Sequence, residues 1–147
     1  MPSSVRRPHI LVVDDEVDLC WALGNILRPE GYQVTTVTSG REALELAKRN
    51  HFEVVFIDAK LPDVDGIELS SEIKKIDPDA GIVMISGYFY REDEAIDEGL
   101  AHDLYVTFIG KPFDLDQVRS AAKKALAMTR GRAITPSGPG TVRGKIL

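Results

Sequence analysis

VVFIDAKLPDVDG, residues 54–66, opens on four apolar residues and then turns abruptly to acid. Val54, Val55, Phe56 and Ile57 are β-branched or aromatic, the composition of a strand, and no polar residue alternates with them. A short continuous apolar run is the habit of a strand buried on both faces, as in a parallel sheet. Asp58 ends the run, and the turn formers Pro62, Asp63, Asp65 and Gly66 follow it. In open α/β sheets ligands lie outside the carboxyl ends of the strands, so an acid delivered there is aimed at a ligand. Taken alone, Asp58 reads first as the start of a turn. The other strand ends decide between the two readings.

Residues 9–13 form a second β-rich run, ending in Asp14, Asp15 and Glu16. Val17, Cys20, Leu23, Ile26 and Leu27 then recur at helical spacing, closed by Pro29 and Gly31. Residues 32–38 alternate valine with threonine, the pattern of a half-exposed edge strand. Ser39 and Glu42 stand three apart, a capping-box spacing that opens a helix to about residue 50. After the strand at 53–57 comes a helix over 65–76 with Ile67, Ile73 and Ile76 inward. Asp77-Pro78 stops it, because proline disfavours helical geometry in the preceding residue.

A fourth strand at 81–85 delivers Ser86 and Gly87, and residues 91–99 read as a short acidic helix. A fifth strand at 104–109 delivers Gly110, Lys111 and Pro112. Asp114 caps a last helix through about residue 128, with Leu115, Val118, Ala122, Ala125 and Leu126 on one stripe. Five strands alternating with five helices predict an α/β fold, a doubly wound parallel sheet with helices on both faces. Residues 1–8 read as a polar leader, 9–128 as the domain, and 129–147, rich in Gly, Pro and Ser, as a flexible basic tail or linker.

Composition narrows the function. The chain of 147 residues suits one domain, and a net charge of −5 argues against a nucleic-acid-binding surface, which needs a basic patch. No apolar run is long enough to span a bilayer and no cleavable leader pattern is present, so a cytoplasmic protein with no membrane partner is expected. The single cysteine, Cys20, lies in the apolar stripe of the first helix and reads as a buried small hydrophobe.

In a parallel sheet the ends of strands one, three, four and five share one edge, which gathers Asp14, Asp15, Asp58, Ser86 and Lys111. Clustered carboxylates resist ionising together unless a positive charge sits among them. A hard dication with oxygen ligands, best Mg²⁺, resolves that repulsion and keeps coordination positions for a phosphate. Lys111 supplies a compact second positive charge and the Ser86 hydroxyl a donor, both suited to phosphoryl oxygens. Asp58 is then the nucleophile, since carboxylates form acyl phosphates and phosphoryl transfer depends mainly on positioning and charge neutralisation.

On Asp14-Asp15, DAKLPDVDGIEL, ISG and GKPF, in that order, the chain resembles the receiver domains of two-component response regulators over residues 8–128. The resemblance implies a flavodoxin-like fold with strand order 2-1-3-4-5 and phosphoryl transfer to Asp58 from a phosphohistidine on a sensor histidine kinase or phosphotransfer protein. It implies Mg²⁺ bound by Asp14, Asp15, Asp58 and the backbone carbonyl of Lys60, phosphoryl contacts from Ser86 and Lys111, and a cis Lys111–Pro112 peptide. Ser86 and Phe108 are the implied switch pair, and Lys60 and Tyr88 the implied tuners of dephosphorylation. The output is an unknown downstream protein, and the face around the fourth helix and fifth strand is one that receivers use for homodimers. The resemblance further implies a switch with self-catalysed phosphotransfer rather than an enzyme of steady turnover. Two other readings share these residues: a Mg²⁺-dependent phosphohydrolase working through an aspartyl phosphate, and a receiver-like docking module that is never phosphorylated. Against the first, Asp58 does not begin an Asp-x-Asp nucleophile motif, since Lys60 stands two positions on; against the second stand the intact Asp58, Ser86 and Lys111.

Overall fold

The computed structural model describes residues 7–87 and 107–134, with side chains described up to residue 128. Five strands, β1 (His9–Val13), β2 (Gln33–Val37), β3 (Val54–Asp58), β4 (Gly81–Ser86) and β5 (Thr107–Gly110), alternate with helices α1 (Val17–Leu27), α2 (Gly40–Arg49), α3 (Gly66–Ile76) and α4 (Leu115–Ile134). The strands form one sheet in the order β2-β1-β3-β4-β5, and every pairing is parallel. The fold and strand order are those expected. The helix expected over 91–99 and the first residues of the expected fifth strand lie outside the described residues.

The unbroken apolar strands serve two cores at once. Ile10, Val12, Val54, Phe56, Val83 and Ile85 face one way and pack with Leu23 and Leu27 of α1 and Val118, Ala122 and Ala125 of α4. Leu11, Val13, Val55, Ile57, Ile82 and Met84 face the other way and pack with Ala43 of α2 and Leu69 and Ile73 of α3. Successive strand residues point to opposite faces, so a strand between two helical layers has no polar face to show. The two edge strands, β2 and β5, have mixed burial patterns.

Helix starts follow local chemistry. Ser39 Oγ accepts the Glu42 N–H at 3.2 Å, one half of the expected capping box. The other half differs: the Glu42 carboxylate takes the N–H of Thr38 at 3.2 Å, one residue upstream of the cap. Asp114 and Gln117 form a reciprocal box at the start of α4, each backbone N–H bonded to the other's side chain at 2.9 Å. Between α1 and β2 a single 3₁₀ turn, Arg28–Glu30, ends at Gly31, whose φ of 99° lies in the left-handed region open to glycine.

Three stripe residues differ from expectation. Val17, Ile76 and Leu115 are exposed rather than inward. Each is the first or last residue of its helix. Helix α4 also runs to Ile134 rather than ending near residue 128. Ala127, Met128, Arg130 and Arg132 are good helix formers, and a lone glycine does not halt them.

Candidate functional site

The carboxyl edge of the sheet collects the charged residues. Asp14 follows β1 directly, Asp58 and Ser86 are the last residues of β3 and β4, and Lys111 follows β5. Asp14 and Asp58 are buried, an unusual fate for acids, as is Ser86, while Asp15 is exposed. Neither Asp14 nor Asp15 caps α1; the N-cap is Glu16, which makes no side-chain cap bond. Helix capping therefore does not account for the acidic pair.

Asp58 is held from both sides. Its Oδ1 accepts the Lys60 N–H at 3.0 Å and its Oδ2 accepts from Lys111 Nζ at 3.1 Å. The loop that turns the chain at this point, Asp58 to Gly66 in the quoted stretch, closes through the Gly66 N–H donating to the Ala59 carbonyl at 2.9 Å. A side chain at position 66 would place its Cβ 2.3 Å from the Asp58 carbonyl oxygen and 2.6 Å from Ala59 Cα, so only glycine permits this approach. Asp65 then caps α3 by accepting the Ile67 N–H at 2.7 Å. Asp63 reaches across to α2, accepting the Gly40 and Arg41 N–H groups at 3.0 and 3.1 Å. The Gly40 bond leads in drawing its carboxyl below the ordinary carboxylate range. The loop is thus tied to two helix N-termini.

Lys111 is anchored by its own N–H, which donates to the Ser86 carbonyl at 2.8 Å, and the Lys111–Pro112 peptide is cis. Its ammonium meets three carboxylates: Glu16 at 2.9 Å, Asp58 at 3.1 Å and Asp14 at 3.4 Å. Burial works against the lysine's charge, but Glu16, Asp14 and Asp58 together outweigh it and hold its pKa above the usual lysine range.

The acids remain in excess over this single cation. Carboxylate oxygens of Asp14, Asp15 and Asp58 lie within 4.8 Å of one another. Burial, opposed by the Glu16 N–H at 2.9 Å and reinforced by the Asp58 charge, raises the Asp14 pKa from 3.8 to about 6. Asp14 Oδ2 and the fully buried Ser86 Oγ have no hydrogen-bond partner among the described residues. An all-oxygen set whose buried Asp14 Oδ2 has only the 3.4 Å ion pair with Lys111 and no hydrogen bond fits a hard divalent cation of the Mg²⁺ type. Cys20 lies behind this site, its Sγ donating to the Asp14 carbonyl at 3.2 Å, and burial pushes its thiol pKa up to about 11, consistent with an unreactive packed residue.

Six of the residues expected at the site have described side chains beside or behind it. Asp14, Asp58 and Lys111 make direct contacts, Asp15 stands at the rim, Ser86 lies buried at the end of β4, and Lys60 contributes its backbone N–H while its side chain is exposed. Phe108 is half-buried in β5, pairs in register with Met84 and packs against the α2/α3-side core. Tyr88 lies outside the described residues. Glu16 and Asp63 are contributors that the sequence reading did not single out. Glu16 was visible as the third acid after β1, but nothing in its spacing shows that it reaches a lysine 95 positions away.

Residues 10–123 match a protein family described as the response regulator receiver domain. The chain is 33% identical over 124 residues to sporulation initiation phosphotransferase F of Bacillus subtilis, covering 84% of this chain and 98% of that protein. It is 35% identical over 122 residues to the transcriptional regulatory protein ZraR of Escherichia coli, covering 82% of this chain but only 26% of ZraR, so it spans about a quarter of that relative. Among solved structures, a CheY-like response regulator receiver domain protein from Methanospirillum hungatei superposes with a TM-score of 0.80 at 27% identity, over 86% of this chain and 99% of that one. NtrX from Brucella abortus superposes with a TM-score of 0.77 at 35% identity, over 87% of this chain and 29% of its own.

Proposed function

Because the chain belongs to the family of response regulator receiver domains, we propose that it accepts a phosphoryl group on Asp58 from a phosphohistidine of a sensor histidine kinase or phosphotransfer protein. One observation carries the reading: a buried Asp58 whose Oδ2 lies 3.1 Å from Lys111 Nζ, within a cluster of carboxylates that a single lysine leaves negative. An Asp58 oxygen attacks phosphorus, the P–O bond forms, the P–N bond breaks, and the imidazole leaves with the bonding pair and takes up a proton. The Lys60 N–H fixes the orientation of the carboxylate, so the attacking group enters with little freedom left to lose.

Asp14, Asp15, Asp58 and the Lys60 carbonyl would hold Mg²⁺, which when bound neutralises charge developing on the phosphoryl oxygens. Lys111 turns from the carboxylates to a phosphoryl oxygen, and the partnerless Ser86 Oγ donates to another, gaining the bond it lacks. Movement of Ser86 vacates space beside β5 that the half-buried Phe108 ring fills, which converts a local charge into a change of surface for a downstream protein. Tyr88 and Lys60, which stand two positions after Ser86 and Asp58 in the sequence, set how long the phosphate lasts. These roles make the chain a signalling phosphoacceptor rather than a turnover enzyme. The test is intact-mass measurement after incubation with Mg²⁺ and a small acyl phosphate, beside Asp58→Asn. One added phosphate on the parent and none on the variant is expected. A parent that binds Mg²⁺ and stays unmodified would leave a docking module.

A further inference from the structure

Lys111 has three N–H donors and three carboxylates around them. Asp14 and Asp58 are buried and belong to the metal and nucleophile set, whereas Glu16, the nearest at 2.9 Å, is 58% exposed and has no other role in that set. Its backbone carbonyl receives the Leu19 and Cys20 N–H groups at the start of α1, so the residue is fixed at the mouth of the site while its side chain stays free to turn outward. We propose that Glu16 is a positioning residue that competes with the phosphoryl group for Lys111 and so sets how readily Asp58 is phosphorylated and how long the phosphate stays.

The inference rests on the phosphoacceptor reading given above. Its physical content is a count of charges around one ammonium. A phosphoryl group on Asp58 brings up to two further negative charges into a pocket that already holds four carboxylates (Asp14, Asp15, Glu16 and Asp58) and one lysine. Those of Asp14, Asp15 and Asp58 can ligate a cation directly; Glu16 lies outside that set and makes its direct contact with Lys111. While Glu16 holds Lys111, it claims one of the three N–H donors and partly cancels the positive charge offered to the phosphoryl oxygens. It also adds attraction for a dication close by. Its removal should therefore move two properties in opposite directions, a signature that simple loss of structure cannot produce.

The experiment compares the parent with Glu16→Gln, Lys111→Gln and the double variant, and with Asp18→Asn, which removes the same charge from an exposed position on α1 that makes no contact with Lys111. Two quantities are measured: Mg²⁺ affinity by titration without phosphodonor, and the rate of phosphate gain and loss at saturating Mg²⁺ by intact mass. Glu16→Gln should be phosphorylated about two- to fivefold faster and keep the phosphate correspondingly longer, the scale of an ion pair with one exposed partner. It should bind Mg²⁺ about twofold more weakly. The kinetic gain should vanish in the Lys111→Gln background, and Asp18→Asn should behave as the parent. Equal or slower phosphorylation of Glu16→Gln, or the same gain from Asp18→Asn or without Lys111, overturns the role of Glu16 and leaves the phosphoacceptor reading standing. A parent that binds Mg²⁺ but takes no phosphate overturns both.

Discussion

Replacing Asp14 by Asn should stabilise the fold when divalent cations are removed. Asp14 is fully buried, and burial with the neighbouring Asp58 charge raises its pKa from 3.8 to about 6. An acid whose pKa is higher in the fold than in the unfolded chain binds its proton more tightly in the native state. Stability therefore falls as pH rises from the unfolded to the folded value, and the deficit is complete above it. At about 1.4 kcal/mol per unit, the deficit at neutral pH is about 3 kcal/mol. The amide keeps the acceptor used by the Glu16 N–H but turns a donor or a weaker acceptor toward Lys111, a loss of about 1 kcal/mol. The net gain is about 2 kcal/mol at pH 7.5, and it shrinks to about zero near pH 4.5, where Asp14 of the parent is already protonated in the fold. Urea unfolding in EDTA, followed by far-UV circular dichroism at the two pH values, measures both numbers. A loss of stability at pH 7.5, or a gain that does not depend on pH, would refute the reasoning that buried charge at this site is a load on the fold.

Gly66→Ala should lower stability by about 3 kcal/mol, read as a fall in urea midpoint, because its Cβ would meet the backbone of Asp58 and Ala59 rather than a movable side chain. Asp63→Ala removes the acceptor of two α2 N–H groups and should destabilise by about 1–2 kcal/mol at neutral pH. The Asp63 carboxyl has a lowered pKa in the fold, so its contribution is present above the unfolded value of 3.8 and fades as pH falls through the lower folded value; parent and variant should converge in acid unfolding curves. Ser86→Ala should leave stability within about 1 kcal/mol of the parent, since the hydroxyl has no partner among the described residues, while shortening the lifetime of any phosphate on Asp58.

Most of the architecture was legible because the strands are short unbroken apolar runs and the helices have a clear period. β1 and α1 fall on the residues expected for them. What the period supplies is the phase of a helix, not how much neighbouring structure covers its ends, and Val17, Leu115 and Ile76 at helix ends are exposed. Local capping patterns were readable for Ser39 and Asp114, yet Glu42 found the Thr38 N–H instead of that of Ser39. Both are within reach of one flexible carboxylate. For the site, convergence at one sheet edge follows from topology, so Asp14, Asp58, Ser86 and Lys111 could be gathered on paper. The contacts of Glu16 and Asp63 depend on which rotamer reaches which neighbour across 95 and 23 positions of chain. Sequence spacing carries no such information.

The central claim is that Asp58 is the nucleophile, and reductive trapping tests it most directly. Borohydride converts an aspartyl phosphate to homoserine, so treatment after incubation with Mg²⁺ and a small acyl phosphate, followed by peptide mass mapping, locates the acyl phosphate. Homoserine at position 58, dependent on both Mg²⁺ and the phosphodonor, is the predicted result. Homoserine at Asp14, Asp15 or Glu16 instead, or at none of them in protein that has gained a phosphate, would contradict it.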